Sequence, residues 1–302
     1  MTGTPTAAQH AKNVGRSTLK AGVRLLGTAS SALRPLPDFL VIGTKRGGTT
    51  SFYFDLLEHP GVVPLFPPPL PGLKSVATKG VHYFDVNYAR GQRWYRSYMP
   101  TAATRRRISR KYGLEAVTGE ASPFYLFHPA AAARAYATVP DARIIALLRD
   151  PATRTYSHWK ERRRNGMEEL SFLDALDAEQ SRIGGERERL LNDPSYVSYP
   201  WEQQSYATQS RYAELLRPWV ELFGRDHVLV AASEDYYAQP DQVLGDVHEF
   251  LGLPRKSTAT GLVRNAAAGA DLPAELQAEL ARRFADSNQA LVELLGQCFP
   301  WT

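Results

Sequence analysis

The stretch that most constrains this chain is residues 37–51, PDFLVIGTKRGGTTS. Phe39, Leu40, Val41 and Ile42 form a short apolar, β-rich run, long enough for a buried strand. Residues 43–48 follow as a glycine-rich turn carrying Lys45 and Arg46, and Thr49, Thr50 and Ser51 open a helical stretch. Strand, glycine loop and helix start in that order make a cradle for a phosphate-like anion. Glycines let the backbone approach the anion closely, and free N–H groups of the first helical turn point at it. A plain strand-to-helix turn with Thr as its cap would explain the glycines alone. The two cations inside the loop argue for the anion. Gly43 and Gly48 have the spacing of a nucleoside-triphosphate loop, G-x-x-x-x-G-K-[ST], but Thr49 stands where that loop has its lysine.

At 302 residues the chain fits one α/β domain. It contains no apolar run long enough to span a bilayer and no secretory signal pattern. Its single cysteine, Cys298, excludes an internal disulfide and a multi-cysteine metal site. These features suit a reducing, bacterial cytoplasm. The net charge of +5 suits an anionic ligand and is too small to point to nucleic acid. Residues 1–36 read as a basic leader, helical or partly disordered, with Lys12, Arg16, Lys20 and Arg24 on one helical face. Its apolar face is thin, which favours a surface-packed leader over peripheral contact with an anionic membrane.

The remaining motifs fall at intervals along the chain. A proline-rich surface connection over residues 60–71 delivers KGVHYFD at 79–85. Here His82 is either a structural histidine beside an aromatic pair or a site group that titrates near neutral pH. Residues 88–98 interleave Arg90, Arg93 and Arg96 with Trp94, Tyr95 and Tyr98, and residues 105–111 add five more cations. That pattern suits a polyanionic or sugar acceptor, or simply a solvated helix face. Residues 116–119 read as a second strand ending at Glu120. Residues 144–148 form an apolar run of the kind a strand buried on both faces requires. Arg149 lies at its carboxyl end, Pro151 suits a helix N1 position, and Ser157 follows about two turns later. Arg149 offers a planar fork to a phosphate. Beyond lie a charged helical arm (160–192), an amphipathic helix (205–223), a short strand (227–232), a helix (241–251) closed by Gly252, and a final amphipathic helix (273–295). Strands alternate with helices, and the motifs sit where open parallel sheets bind ligands. The expected fold is a single α/β domain over residues 37–302, with a P-loop-like open parallel sheet flanked by helices.

Together the motifs resemble those of PAPS-dependent sulfotransferases, especially the heparan-sulfate-type carbohydrate enzymes. The family's phosphosulfate loop, P-K-x-G-T-T-[SA] or R-K-G-G-T-R, is matched by Gly47, Gly48, Thr49, Thr50 and Ser51. Its K-E-x-H-[FY]-F-[DE] segment is matched by Lys79, His82, Tyr83, Phe84 and Asp85, and its E-K-[ST]-P-x-Y-[FL] segment by Glu120, Ser122, Pro123 and Tyr125. Its R-D-P-x-x-R-x-[YF]-S motif is matched from Arg149 to Ser157.

The resemblance implies transfer of a sulfonyl group from PAPS (3′-phosphoadenosine-5′-phosphosulfate) to a hydroxyl or amine of a saccharide, glycolipid or secondary metabolite. Adenosine 3′,5′-bisphosphate is the product, and no metal is required, because a sulfonyl group has fewer anionic oxygens than the phosphoryl group that kinases clamp. The loop amides, Lys45 or Arg46, and Thr49, Thr50 and Ser51 would hold the 5′-phosphosulfate. Arg149 and Ser157 would grip the 3′-phosphate, and Arg264 belongs to a weakly matched basic loop over the cofactor. The family's loop lysine aligns with Arg46, while this chain's lysine is one residue earlier, so either cation fits the bridging oxygen. Gly80 replaces the family's glutamate, a candidate base. That leaves His82, with Glu120 as second candidate. Ala121 replaces a lysine. Two other classes stay open: a P-loop kinase or nucleotide hydrolase, and a non-catalytic nucleotide-binding homologue.

Overall fold

The computed structural model describes residues 27–66, 78–260 and 272–302. Its centre is a sheet of four parallel strands in the order β2-β1-β3-β4: β1 (Phe39–Gly43), β2 (Gly119–Ala121), β3 (Arg143–Leu148) and β4 (Val228–Ala232). The ladder pairs Leu40 with Glu120 on one side and with Ile144 on the other, and Ile144 in turn with Val228.

Successive residues of a strand face opposite sides of the sheet, and here both sides are covered. Leu40, Ile42, Ile144, Ala146, Val228 and Val230 pack against one helical layer. That layer contains α2 (Ala131–Thr138), α4 (Tyr212–Phe223) and the end of α7 (Ala274–Leu295). Phe39, Val41, Ile145 and Leu147 pack on the other layer. There lie α1 (Thr49–Leu56), α5 (Ser233–Ala238) and α6 (Pro240–Phe250). A central strand clothed on both faces must be apolar throughout, which is why β1 and β3 read as unbroken hydrophobic runs. At the edge, β4 alternates buried and half-buried residues. The helix after β3 is α3 (Pro151–Arg164). Residues 172–192 form three short helices rather than one long arm.

Two elements differ from the sequence reading. The second strand begins later, at Gly119 rather than 116, because Val117 pairs with Val62 in an isolated bridge. Gly119 then meets β1 so closely that a Cβ there would lie 2.4 Å from the Phe39 carbonyl. The helix expected from 205 begins at Tyr212. The preceding residues are spent on tertiary bonds: Ala207 and Thr208 N–H groups donate to Glu179, and the Tyr206 carbonyl accepts from Arg154. Residues 27–36 are tied to the domain through Arg96, which donates to the Arg34 carbonyl at 2.8 Å. The basic helix expected at residues 12–24 and the loop cation Arg264 lie outside the described residues. Among the described residues no helix is long and apolar enough to cross a membrane.

Candidate active site

The glycine loop runs from the end of β1 to the start of α1 across the carboxyl end of β3. The Thr44 N–H donates to the Leu147 carbonyl at 2.7 Å, and the Gly47 N–H folds back onto the Thr44 carbonyl at 3.1 Å. Gly48 caps α1 with φ +84°, a left-handed backbone that glycine adopts without steric cost. The cap makes no side-chain hydrogen bond. The first-turn amides of a helix have no partner within it, and the helix dipole adds partial positive charge there. Arg46 also has a positive φ, +69°.

The two motifs anticipated for the cofactor's phosphates meet at this loop, although 103 residues separate Arg46 from Arg149. Arg149 Nη1 donates to the Arg46 carbonyl at 3.4 Å. Arg46 Nε donates to Ser157 Oγ at 3.3 Å, and its Nη1 pairs with Glu161 at 3.5 Å. Ser157 reaches the loop because α3 starts at its predicted place: Pro151 is at N1, and the Asp150 side chain accepts from the Thr153 N–H at 2.7 Å. Arg154, in the same motif, points elsewhere. It is fully buried and donates to the Tyr206 carbonyl and Gln209, docking α3 onto the chain before α4. Lys45 Nζ forms an ion pair with Glu202 at 3.0 Å, on the short helix Tyr199–Gln203. Burial lowers the pKa of both Lys45 and Arg46, against the pull of Glu202 and Glu161 respectively.

On the other side of the loop lies the segment at 79–85. Lys79 Nζ donates to Thr49 Oγ1 at 3.2 Å and Thr50 Oγ1 at 2.9 Å, while its carbonyl accepts from the Ala121 N–H at 2.8 Å. The segment thus bridges the start of α1 and the end of β2. His82 adopts φ +53°, its N–H donating to Ser122 Oγ and its carbonyl accepting from Asn87. Its Nδ1 lies 2.7 Å from Asp85 Oδ2. The Asp85 side chain is wholly buried, whereas that of His82 is 42% exposed, so Nε2 is left for a ligand. Burial pulls the imidazole pKa down, but the hydrogen bond and charge of Asp85 outweigh it, with help from Glu120 and Glu202, and leave it raised. Glu120 is fully buried. Its carboxylate accepts from the Val81 N–H, Ser122 Oγ, Tyr95 OH and Tyr125 OH. Burial raises its pKa although all four bonds oppose the rise.

Residues 36–267 match a family model described as Sulfotransferase domain. The chain belongs to the sulfotransferase family. The sulfotransferase is 25% identical to membrane-associated sulfotransferase kil1 of Dictyostelium discoideum over 88% of this chain and 66% of that one. It is 29% identical to human heparan sulfate glucosamine 3-O-sulfotransferase 6 over 78% of this chain and 58% of that protein. The chain thus spans somewhat less than two thirds of the length of these relatives. A crystal structure of a sulfotransferase from Alicyclobacillus acidocaldarius superposes with a TM-score of 0.61 at 27% identity, covering 88% of this chain and 99% of that one. The single α/β domain and parallel sheet expected from the sequence are therefore those of this family.

Several neighbours of the site were not singled out as such from the sequence. Glu161 and Glu202, which pair with the loop cations, come from distant positions and no local pattern announces them. Asp85 was visible as a motif match but not as the partner of His82. Its spacing of three residues from the histidine, inside a turn, was the available signal.

Proposed function

We propose that this sulfotransferase moves a sulfonyl group from PAPS to a hydroxyl or amine of a saccharide, glycolipid or secondary metabolite. The observation that carries this reading is the meeting of Arg46, Arg149 and Ser157 beside the open amides of α1. Two guanidinium groups, a hydroxyl and a helix N-terminus form a site for an anion with more than one phosphate. Within it Arg149 and Ser157 take the 3′-phosphate. The amides from Gly48 to Thr50, the side chains of Thr49, Thr50 and Ser51, and Lys45 or Arg46 hold the 5′-phosphosulfate, with Gly47 allowing the backbone's close approach. Arg264 is assigned to nucleotide contact on the motif resemblance alone.

His82 accepts the acceptor's proton. With Nδ1–H directed at Asp85, the Nε2 lone pair is the exposed basic site. Glu120 is the alternative base, but its four donors and complete burial favour a supporting role, holding Tyr95, Tyr125 and the chain at Val81. A saccharide acceptor is favoured by the relatives named for heparan sulfate glucosamine and by the arginines and aromatics at 88–98. Action in a bacterial cytoplasm and no nucleic-acid partner remain parts of this reading.

The test uses ³⁵S-PAPS with heparan-type oligosaccharides and cell extract as acceptors, and the analogue lacking the 3′-phosphate as competitor. The expected result is a labelled acceptor and a marked preference for PAPS over the analogue. Equal affinity for the two removes the 3′-phosphate assignment. Tight binding of adenosine 3′,5′-bisphosphate without transfer supports the non-catalytic homologue instead, and turnover of ATP with Mg²⁺ supports the kinase class.

A further inference from the structure

The charge of this chain is unevenly spread. Residues 1–37 hold five lysines and arginines, residues 86–114 hold eight, and neither stretch contains an aspartate or glutamate. The two stretches therefore carry 13 of the 36 cations, and the other 23 are outnumbered by all 31 acidic residues. The net +5 is the difference between +13 in these stretches and −8 in the rest. Where both are described, the stretches meet: Arg34 donates to the Met99 carbonyl, and Arg96 to the Arg34 carbonyl. Just beyond, Thr101 caps the helix Ala102–Tyr112. The inner side of that helix is fixed. Arg105 pairs with Asp38 at 2.7 Å and donates to the Ala116 carbonyl, and Ser109 Oγ accepts from the Ala116 N–H at 3.0 Å. Asp38 immediately precedes β1, so the helix lies at the amino end of the sheet, opposite the glycine loop. On its outer side Arg106, Arg107, Arg110 and Lys111 are exposed and make no ion pair among the described residues.

At 3.6 residues per turn the four cations cover about 140° of the helix surface. Arg106 with Arg110, and Arg107 with Lys111, are like-charge pairs four residues apart, and each such pair destabilises the helix. A solvated face ordinarily mixes the two signs; an anionic partner relieves the repulsion of a face that does not. The face is convex and borders exposed apolar groups: Tyr112, whose ring lies 4.9 Å from Lys111 Nζ, and Leu33 beside Arg34. We propose that the outer face of the helix Ala102–Tyr112 docks this protein on an anionic lipid surface. Headgroup phosphates take Arg106, Arg107, Arg110 and Lys111, Tyr112 and Leu33 sit at the interface, and the acid-free residues 1–37 add to the attraction. Docked by this end of the sheet, the protein keeps the carboxyl ends of β1 and β3, with the glycine loop, on the aqueous side.

The test is co-sedimentation of the full chain with vesicles of phosphatidylcholine alone, and with vesicles of equal parts phosphatidylcholine and phosphatidylglycerol. Wild type should bind the anionic vesicles and leave the neutral ones, and high salt should release it. Each cation near such a surface contributes about fivefold to partitioning, so replacing Arg106, Arg107, Arg110 and Lys111 together by Gln should lower it about 10²–10³-fold. Lysine in place of the three arginines keeps the charge and should keep the binding. A control removes the same amount of charge elsewhere, replacing the exposed Arg187, Arg189, Arg282 and Arg283 by Gln; it should bind nearly as wild type does. Wild type that ignores anionic vesicles overturns the proposal, as does an equal loss in the two Gln variants, which would make net charge the cause. Wild type that ignores vesicles but binds heparan-type oligosaccharides through the same four residues overturns it in favour of a soluble polyanion.

Discussion

His82 can act as a base only while its Nε2 is unprotonated, and its surroundings set the pH at which that holds. Asp85, buried and 2.7 Å from Nδ1, favours the imidazolium, so the histidine's pKa is raised above the ordinary 6.5. The rate should therefore fall on the acid side with a midpoint above about 6.5. Asp85→Asn removes the charge but keeps the shape. It should move that midpoint to lower pH and lower kcat, because the tautomer is no longer enforced; a pH–rate profile of both proteins checks it. An unmoved midpoint would mean that another group titrates. Glu120 makes a contrasting case. Glu120→Gln replaces one oxygen, which accepts from tyrosines, Ser122 or Val81, with an NH₂ that cannot accept. A buried donor left unpaired costs about 1–3 kcal/mol, so the variant should show a lower melting temperature. Full stability with a dead enzyme would instead make Glu120 the base. Arg149→Ala should weaken PAPS binding by about 1.5–3 kcal/mol, the range for hydrogen bonds to charged groups. It should bind the analogue lacking the 3′-phosphate as wild type does, as competitive titration would reveal.

At the scale of elements, the packing of the segment at 79–85 leaves no room for a side chain at Gly80. A Cβ there would lie 2.4 Å from the Ala121 carbonyl and 2.6 Å from Ser122 Oγ. The backbone of this segment lies directly on the end of β2, and the position holds no side chain in this packing. Gly80→Ala should accordingly destabilise the fold by about 1–3 kcal/mol, as overpacking typically does, and Gly80→Glu should not restore a base. A Gly80→Glu variant that folds and gains activity would overturn this packing account. The segment also marks the limit of sequence reading. β1 and β3 were legible because parallel strands buried on both faces need unbroken apolar runs, and the edge strand β4 because its five residues are all apolar. The loop and α3 were legible because glycines, Pro151 and the spacing of Arg149 and Ser157 are local signals. The close approach at Gly80, the positive φ of His82 and the carboxylates paired with Lys45 and Arg46 depend on chain brought in from elsewhere. No pattern within a few residues encodes them.

At the scale of the whole molecule, the site has two sides with different chemistry. The proposed donor side lies at the carboxyl ends of β1 and β3, where Arg46, Arg149 and Ser157 converge. The other side is the turn from Lys79 to His82 and the chain after it. There Asn87 donates to the His82 carbonyl at 2.9 Å, and Arg90 Nε donates to Asn87 Oδ1 at 3.0 Å. The Arg90 guanidinium lies over the Trp94 ring at 5.1 Å. Arg90 and Arg93 are exposed and make no ion pair among the described residues. Exposed cations beside an aromatic face suit an anionic sugar chain. If the acceptor is such a chain, Arg90→Ala combined with Arg93→Ala should raise the acceptor KM several-fold. Affinity for adenosine 3′,5′-bisphosphate, measured by calorimetry, should stay at the wild-type value, because the donor side is untouched. Screening decides whether charge is the cause: the Debye length is about 8 Å at 0.15 M salt and about 3 Å at 1 M. Wild-type kcat/KM for a sulfated oligosaccharide should therefore fall steeply with salt, and the double variant should show a shallower fall. A neutral acceptor of the same length should show neither effect. If the double variant keeps both the wild-type KM and the wild-type salt dependence, the acceptor does not cross residues 88–98, and these arginines are a solvated face.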